Sequence, residues 1–158
     1  MNGTPIMHAR DAIYGSSATC FVTINGRRMN FMHLTEFEGV YTVNSQQVPI
    51  LGKVGFGNKS AGGSGSWSAT AHFNQSQLRA IADHYQKTGV MPYFQIQTTN
   101  EDGTSTVGRQ TIVYHDCLIS GDVILSKFQA GEELLTEDIS GTFERWDMPE
   151  RFNDLEGL

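Results

Sequence analysis

Cysteine is scarce in this chain, two residues in 158, and both Cys20 and Cys117 sit inside strand-like apolar runs. That placement reads as two small buried hydrophobes rather than a disulfide framework. No apolar run approaches the roughly 18 residues of a membrane-spanning helix, and the N-terminus has no charged-then-apolar signal pattern. The expectation is a chain made and kept in a reducing cytoplasm, where the Asn-x-Ser/Thr triplets at Asn2, Asn58 and Asn74 carry no glycosylation chemistry. Basic charge is also thin. Eleven Lys and Arg against seventeen Asp and Glu give a formal charge of −6, and no basic cluster is longer than Arg27-Arg28. A surface that grips a phosphate backbone is excluded on that balance.

The spacings that carry chemistry are missing as well. His8, His33, His72, His84 and His115 are scattered without the short intervals that put two imidazoles on one metal. His115-Asp116 is a neighbouring His-carboxylate pair within an expected strand. On a strand adjacent side chains leave by opposite faces, so the two need a bulge to act together. Gly63-Ser64-Gly65 lacks the spacing of a nucleophile elbow. Gly57-Asn58-Lys59-Ser60 fails as a phosphate loop, because Asn58 separates the glycine from the lysine and a strand follows instead of a helix. Neither an enzyme nor a cofactor is expected. The acidic pairs Glu101-Asp102, Glu132-Glu133 and Glu137-Asp138 read as solvated turn charges.

What the chain does contain is alternation. Trp67, Ala69, Ala71 and Phe73 share one face of a strand, and Ser66, Ser68, Thr70 and His72 share the other. Cys20 to Ile24, Asn25-Gly26 and Arg27 to Met32 spell a hairpin with a type I′ turn. Extended runs are expected at residues 37–43, 48–51, 66–73, 92–99, 107–120, 122–129 and 139–146. Strands such as 93–97 and 109–117 can turn an apolar face to a core and a Gln, Thr or Arg face to water. One helix, about residues 75–88, is marked by Asn74 as N-cap and by the stripe Leu78, Ile81, Ala82 and Tyr85. Lys87 and Gly89 close it, and Arg79, Asp83 and Gln86 form its wet side. The fold class is therefore mainly β, two packed antiparallel sheets forming a sandwich or half-barrel with one flanking helix.

The length fits a single domain over residues 1–158. Residues 1–17 form an N-terminal arm and 147–158 a C-terminal arm, each with isolated apolar anchors suited to docking on a neighbour. Residues 53–65, rich in Gly and Ser, read as a loop lying along another subunit, with Phe56 as apolar anchor and Lys53 and Lys59 as charge contacts.

Several segments in order resemble the tail tube proteins of contractile phage tails and phage-tail-like bacteriocins, in particular the branch of Gram-positive prophages. They are Val48-Pro-Ile-Leu-Gly-Lys53, Gly57-Asn-Lys59, Tyr93-Phe94 with Asn100-Glu-Asp102, Val107-Gly-Arg-Gln-Thr111, Asp116-Cys117, Phe143-Glu144 and Pro149-Glu150. The resemblance implies a structural subunit in which six copies make a ring, inner sheets join into one barrel, and rings stack into a hollow tube. It implies partners of the same particle, the sheath and baseplate proteins, with assembly in the bacterial cytoplasm and a lumen through which DNA passes or which only perforates a membrane. Subunit contacts are expected at Lys53, Phe56, Asn58, Lys59, Phe152 and Leu155. The rival from another class is a monomeric β-sandwich binding module, with Trp67, Tyr93 or Trp146 stacking on a sugar or peptide.

Overall fold

A computed structural model describes residues 7–15, 18–30 and 34–155. Eight strands and one α-helix follow a short 3₁₀ turn at Ala9–Asp11: β1 (Ala18–Ile24), β2 (Arg27–Asn30), β3 (Leu34–Pro49), β4 (Phe56–His72), α1 (Gln77–Thr88), β5 (Phe94–Glu101), β6 (Arg109–Ile119), β7 (Thr136–Phe143) and β8 (Arg145–Glu150). All pairings are antiparallel. The strands run β2-β1-β5-β6-β7-β4-β3, and β8 pairs with β6 off that path.

The path folds on itself because β6 serves two sheets. Its first part pairs with β5 and β8, while Leu118 and Ile119 pair with Thr142 and Gly141 of β7. Between these parts His115 and Asp116 oppose a single residue of β5, and Asp116 has a left-handed φ of 54°. Such a bulge bends a strand and raises its twist. The outcome is the expected sandwich, with the β2-β1-β5-β6-β8 sheet packed on the β3-β4-β7 sheet.

The core lies between them. Trp67 meets Phe94 edge-on at 6.0 Å, Tyr114 meets Phe143 at 4.9 Å, and Phe37 lies 5.8 Å from Tyr114. Val22, Ala69, Ala71, Leu78, Ile96, Cys117 and Ile139 complete it. The alternation at 66–73 holds, with Trp67, Ala69 and Ala71 buried. The Asn25-Gly26 turn has φ values of 52° and 78°, as a type I′ turn requires.

Four expectations change. Residues 56–65 are strand and not loop. β3 and β4, 16 and 17 residues long, form one continuous hairpin whose turn is confined to residues 50–55. The glycines serve ring packing: a Cβ at Gly63 would collide with the Tyr41 ring, and one at Gly65 with the Phe143 ring. Residues 122–129 carry no strand and belong to an irregular connection from Ser120 to Leu135. The C-terminal arm is shorter than expected, since residues 147–150 lie within β8. Helix α1 takes Ser76 and not Asn74 as its N-cap residue, without a side-chain capping bond. Its C-terminus ends as expected on Gly89 at φ 72°, whose N–H donates to Tyr85 O at 2.7 Å.

Two charges expected in water are buried. Glu137 points into the core side of β7 at 1% exposure, and the Arg79 guanidinium reaches it at 2.9 Å. Arg79 also donates to Ile124 O at 3.2 Å and to Gln75 O, and stacks over Phe73 at 4.3 Å. One side chain thus ties the helix, the sheet and the 120–135 connection together. Asp102, at 5% exposure, accepts from Thr104 N and Oγ1 and from Tyr14 N at 3.1 Å. These donors hold its carboxyl below the usual range, the Thr104 hydroxyl first.

Candidate assembly surface

The β3-β4 hairpin outruns the core. From Gly65 to His72, β4 is flanked by β3 on one side and β7 on the other, whereas from Phe56 to Ser64 it pairs with β3 alone. Every residue from Val40 to Gly55 is exposed. Gly62, at φ 87°, lies where the register shifts by one residue between Val43 and Ser45, a bulge position that favours glycine. The projecting half is amphipathic without being covered. Val43 is 65% exposed, Leu51 and Val54 fully so, and Phe56 61%. Leu51, Val54 and Phe56 fall together at the apex, and an apolar group left exposed in this way marks an interaction site.

This element gathers four of the six residues expected to contact neighbours: Lys53 in the turn and Phe56, Asn58 and Lys59 along β4, all exposed. The other two lie elsewhere. Phe152 and Leu155 follow β8, are half-buried, and sit beside the β5-β6 turn, where Asn153 N–H donates to Val107 O at 2.7 Å. The same turn holds the N-terminal segment, since Thr106 N–H donates to Arg10 O and the Thr106 hydroxyl to Asp11. That contact holds Asp11 below the ordinary carboxyl range. The part of the N-terminal arm at residues 1–6 and 16–17 lies outside the described residues.

Sequence reasoning missed three exposed apolar side chains on the 120–135 connection: Leu125 at 69%, Phe128 at 90% and Leu134 at 80%. Leu125 and Phe128 fall in the strand expected at 122–129, and Leu134 lies outside every expected element. The signal lay in Gly121 and Gly131 with Asp122, Glu132 and Glu133, which speak for a connection rather than a strand.

The sheet faces differ in charge. On the solvent side of β3-β4-β7, register places Glu36, Thr70 and Asp138 in one row, Glu38, Ser68 and Ser140 in the next, and Val40, Ser66 and Thr142 in a third. No Lys or Arg stands among them. A shallow cavity of about 370 Å³ is lined here by Glu36, Asp122 and Asp138 with Ser68, Thr70 and Ser140. The solvent side of the other sheet is mixed, with Arg109 bridging Glu101 and Glu150, and His115 2.7 Å from Asp147. A second cavity, about 440 Å³, lies between α1 and β1 and is lined by Val22, Ile24, Leu78, Ile81, Phe94 and Ile119. Among the described residues no group of three or more His, Cys, Asp or Glu is placed to hold a metal. Trp67 is 2% exposed and lies in the core, so it cannot stack on a ligand. Trp146 tilts against Tyr41.

Comparison with known proteins agrees with this geometry. A family model described as phage tail tube protein matches residues 6–150. The phage-like element PBSX protein XkdM of Bacillus subtilis strain 168 is 29% identical over 148 residues, 94% of this chain and 97% of the relative. A chain in the anti-feeding prophage baseplate, six-fold symmetrised, superposes with a TM-score of 0.60 at 13% identity, over 94% of this chain and 97% of that one. A chain in the sheath-tube complex of an extracellular contractile injection system, PVC, in its extended state, gives 0.61 at 10% identity over 82% and 87%. At those identities the solved structures share the fold.

Proposed function

Because this chain belongs to the phage tail tube protein family, and is a structural tube subunit of a phage tail or tail-like particle, we propose that six copies close into a ring and that rings stack into a hollow tube. The observation that carries this reading is the projecting β3-β4 hairpin with its uncovered apolar side chains. β3 is the end strand of its sheet, and β2 and β8 end the other. Unpaired edges are an aggregation liability, and pairing them with the next subunit removes the liability while closing a barrel. The six-fold count is supported by the symmetrised baseplate that contains a chain of this fold.

The solvent face of β3-β4-β7 is the one we assign to the lumen. Its rows of Ser and Thr are short and smooth, and its charges are Glu36, Glu38 and Asp138. Such a wall repels a passing polyanion, whereas Lys and Arg would retain it through counterion release. The conduit therefore suits DNA, and a headless perforating particle uses the same wall. Sheath and baseplate proteins of the same particle are the outer and terminal partners, with assembly in the bacterial cytoplasm. The subunit works by geometry and carries no catalytic step.

Native mass spectrometry and negative-stain electron microscopy of the concentrated protein test this reading. Six-fold rings and tubes are expected. A monomer at every concentration would favour the binding-module alternative.

A further inference from the structure

Two groups of exposed apolar side chains among the described residues lie at opposite ends of one sheet and carry opposite charge. The hairpin apex is at the Phe56 end of β4. The 120–135 connection is at the His72 end, because Phe73 N–H donates to Leu135 O at 3.0 Å and Thr136 of β7 pairs with His72. Sixteen residue steps separate Phe56 from His72 along β4, roughly 53 Å at ~3.3 Å per residue. Between residues 44 and 65 the chain has Lys53 and Lys59 and no acid, a charge of +2. Between 120 and 135 it has Asp122, Glu132 and Glu133 against Lys127, which is 3 − 1 = 2 negative charges net. Lys127 is already engaged, its ammonium donating to Thr136 O at 2.8 Å. The most exposed large apolar side chains are Leu51, Val54 and Phe56 at one end, beside Val48 and Ile50, and Leu125, Phe128 and Leu134 at the other.

We infer that the hairpin apex of one copy docks onto the 120–135 connection of a second copy in the next ring, Lys53 and Lys59 facing Glu132 and Glu133 while the six apolar side chains cover one another. This rests on the stacked-ring reading and adds the two surfaces that meet. Opposite ends of one molecule cannot meet within it, so the contact is head-to-tail, the type that propagates instead of closing on itself. The apolar side chains supply the area, and the charges fix direction and register by penalising like-on-like encounters. Two apices bring four lysines together, and two connections bring their acids together.

A charge-reversal exchange tests it. Lys53→Glu/Lys59→Glu and Glu132→Lys/Glu133→Lys alter exposed side chains, and circular dichroism should match the wild type. Each variant should raise the concentration at which tubes form by about 10-fold or more. Mixing the two variants should restore elongation by alternation, since one copy then presents two acidic surfaces and the other two basic ones, and combining all four changes in one chain should restore it as well. Wild-type tubes with unaffected reversal variants would overturn the docking while leaving the tube reading intact, as would a four-fold variant as defective as its parents. A wild type that never forms rings or tubes would overturn both.

Discussion

Removing Arg79 is the sharpest probe of how this subunit holds its shape. Arg79→Met keeps the stem volume and the stacking on Phe73 but deletes the charge that faces Glu137, whose side chain is fully inaccessible. A buried ion pair contributes little net stability when intact, because desolvation offsets attraction, yet losing one partner strands the other charge. The expected cost is about 3–5 kcal/mol. For a chain of this length each kcal/mol lowers the melting temperature by about 2–4 °C, so the midpoint should fall by about 6–20 °C. Glu137→Gln should cost less, because the Arg79 side chain is 18% exposed and keeps the Ile124 and Gln75 carbonyls. The double change Arg79→Met/Glu137→Leu removes the stranded charge and should recover most of the loss. Urea titration followed by circular dichroism and tryptophan fluorescence reads all three. An Arg79→Met loss below about 1 kcal/mol, or a double variant no better than the single, would refute the reasoning.

Leu78→Ala should cost about 2–5 kcal/mol, as for a fully buried aliphatic, and Ile81→Ala clearly less, because Ile81 is half-buried at the rim of the helix cavity; equal losses in a thermal melt would contradict the packing. Gly141→Ala drives a methyl into Leu118 O and to 2.7 Å from the Trp67 indole, and should lower soluble yield or thermal midpoint more than alanine at the open Gly55. Burial pushes the thiols of Cys20 and Cys117 up to about 12 from 9.0. Unfolded thiols then ionise first, so stability is intact below pH 9 and falls as the pH rises toward 12; prompt reaction of the native protein with a thiol reagent at pH 8 would contradict the burial. Deleting residues 151–158 spares β8 and should leave the circular dichroism unchanged while shortening tubes, whereas normal tubes would remove the C-terminal segment from assembly.

Much of this fold was legible because local signals and tertiary packing agree. The Asn25-Gly26 turn, the alternation around Trp67 and the Leu78 stripe each depend on a period or a backbone preference that a single sequence displays. The misreadings come from residues whose context decides. Gly62, Gly63 and Gly65 read as loop, since the Tyr41 and Phe143 rings that lie over the last two are distant in sequence. Glu137 and Arg79, 58 positions apart, each look solvated until the helix is laid on β7. Asp102 belongs to a turn by composition and becomes buried only when Tyr14 arrives from 88 residues away. The exposed residues divided along the same line: Lys53, Phe56, Asn58 and Lys59 share a sequence segment and one hairpin, while Leu125 and Phe128 look like a strand until the connection is seen to lie open.

The central claim is that this chain is a ring-forming tube subunit whose hairpin joins neighbours. Cryo-electron microscopy of the concentrated protein tests it most directly. The account predicts hollow tubes of stacked six-membered rings, with β3-β4 hairpins covered at subunit boundaries and the row of Glu36, Thr70 and Asp138 facing the lumen. Monomers alone, or an assembly in which Leu51, Val54 and Phe56 remain in solvent, would contradict it.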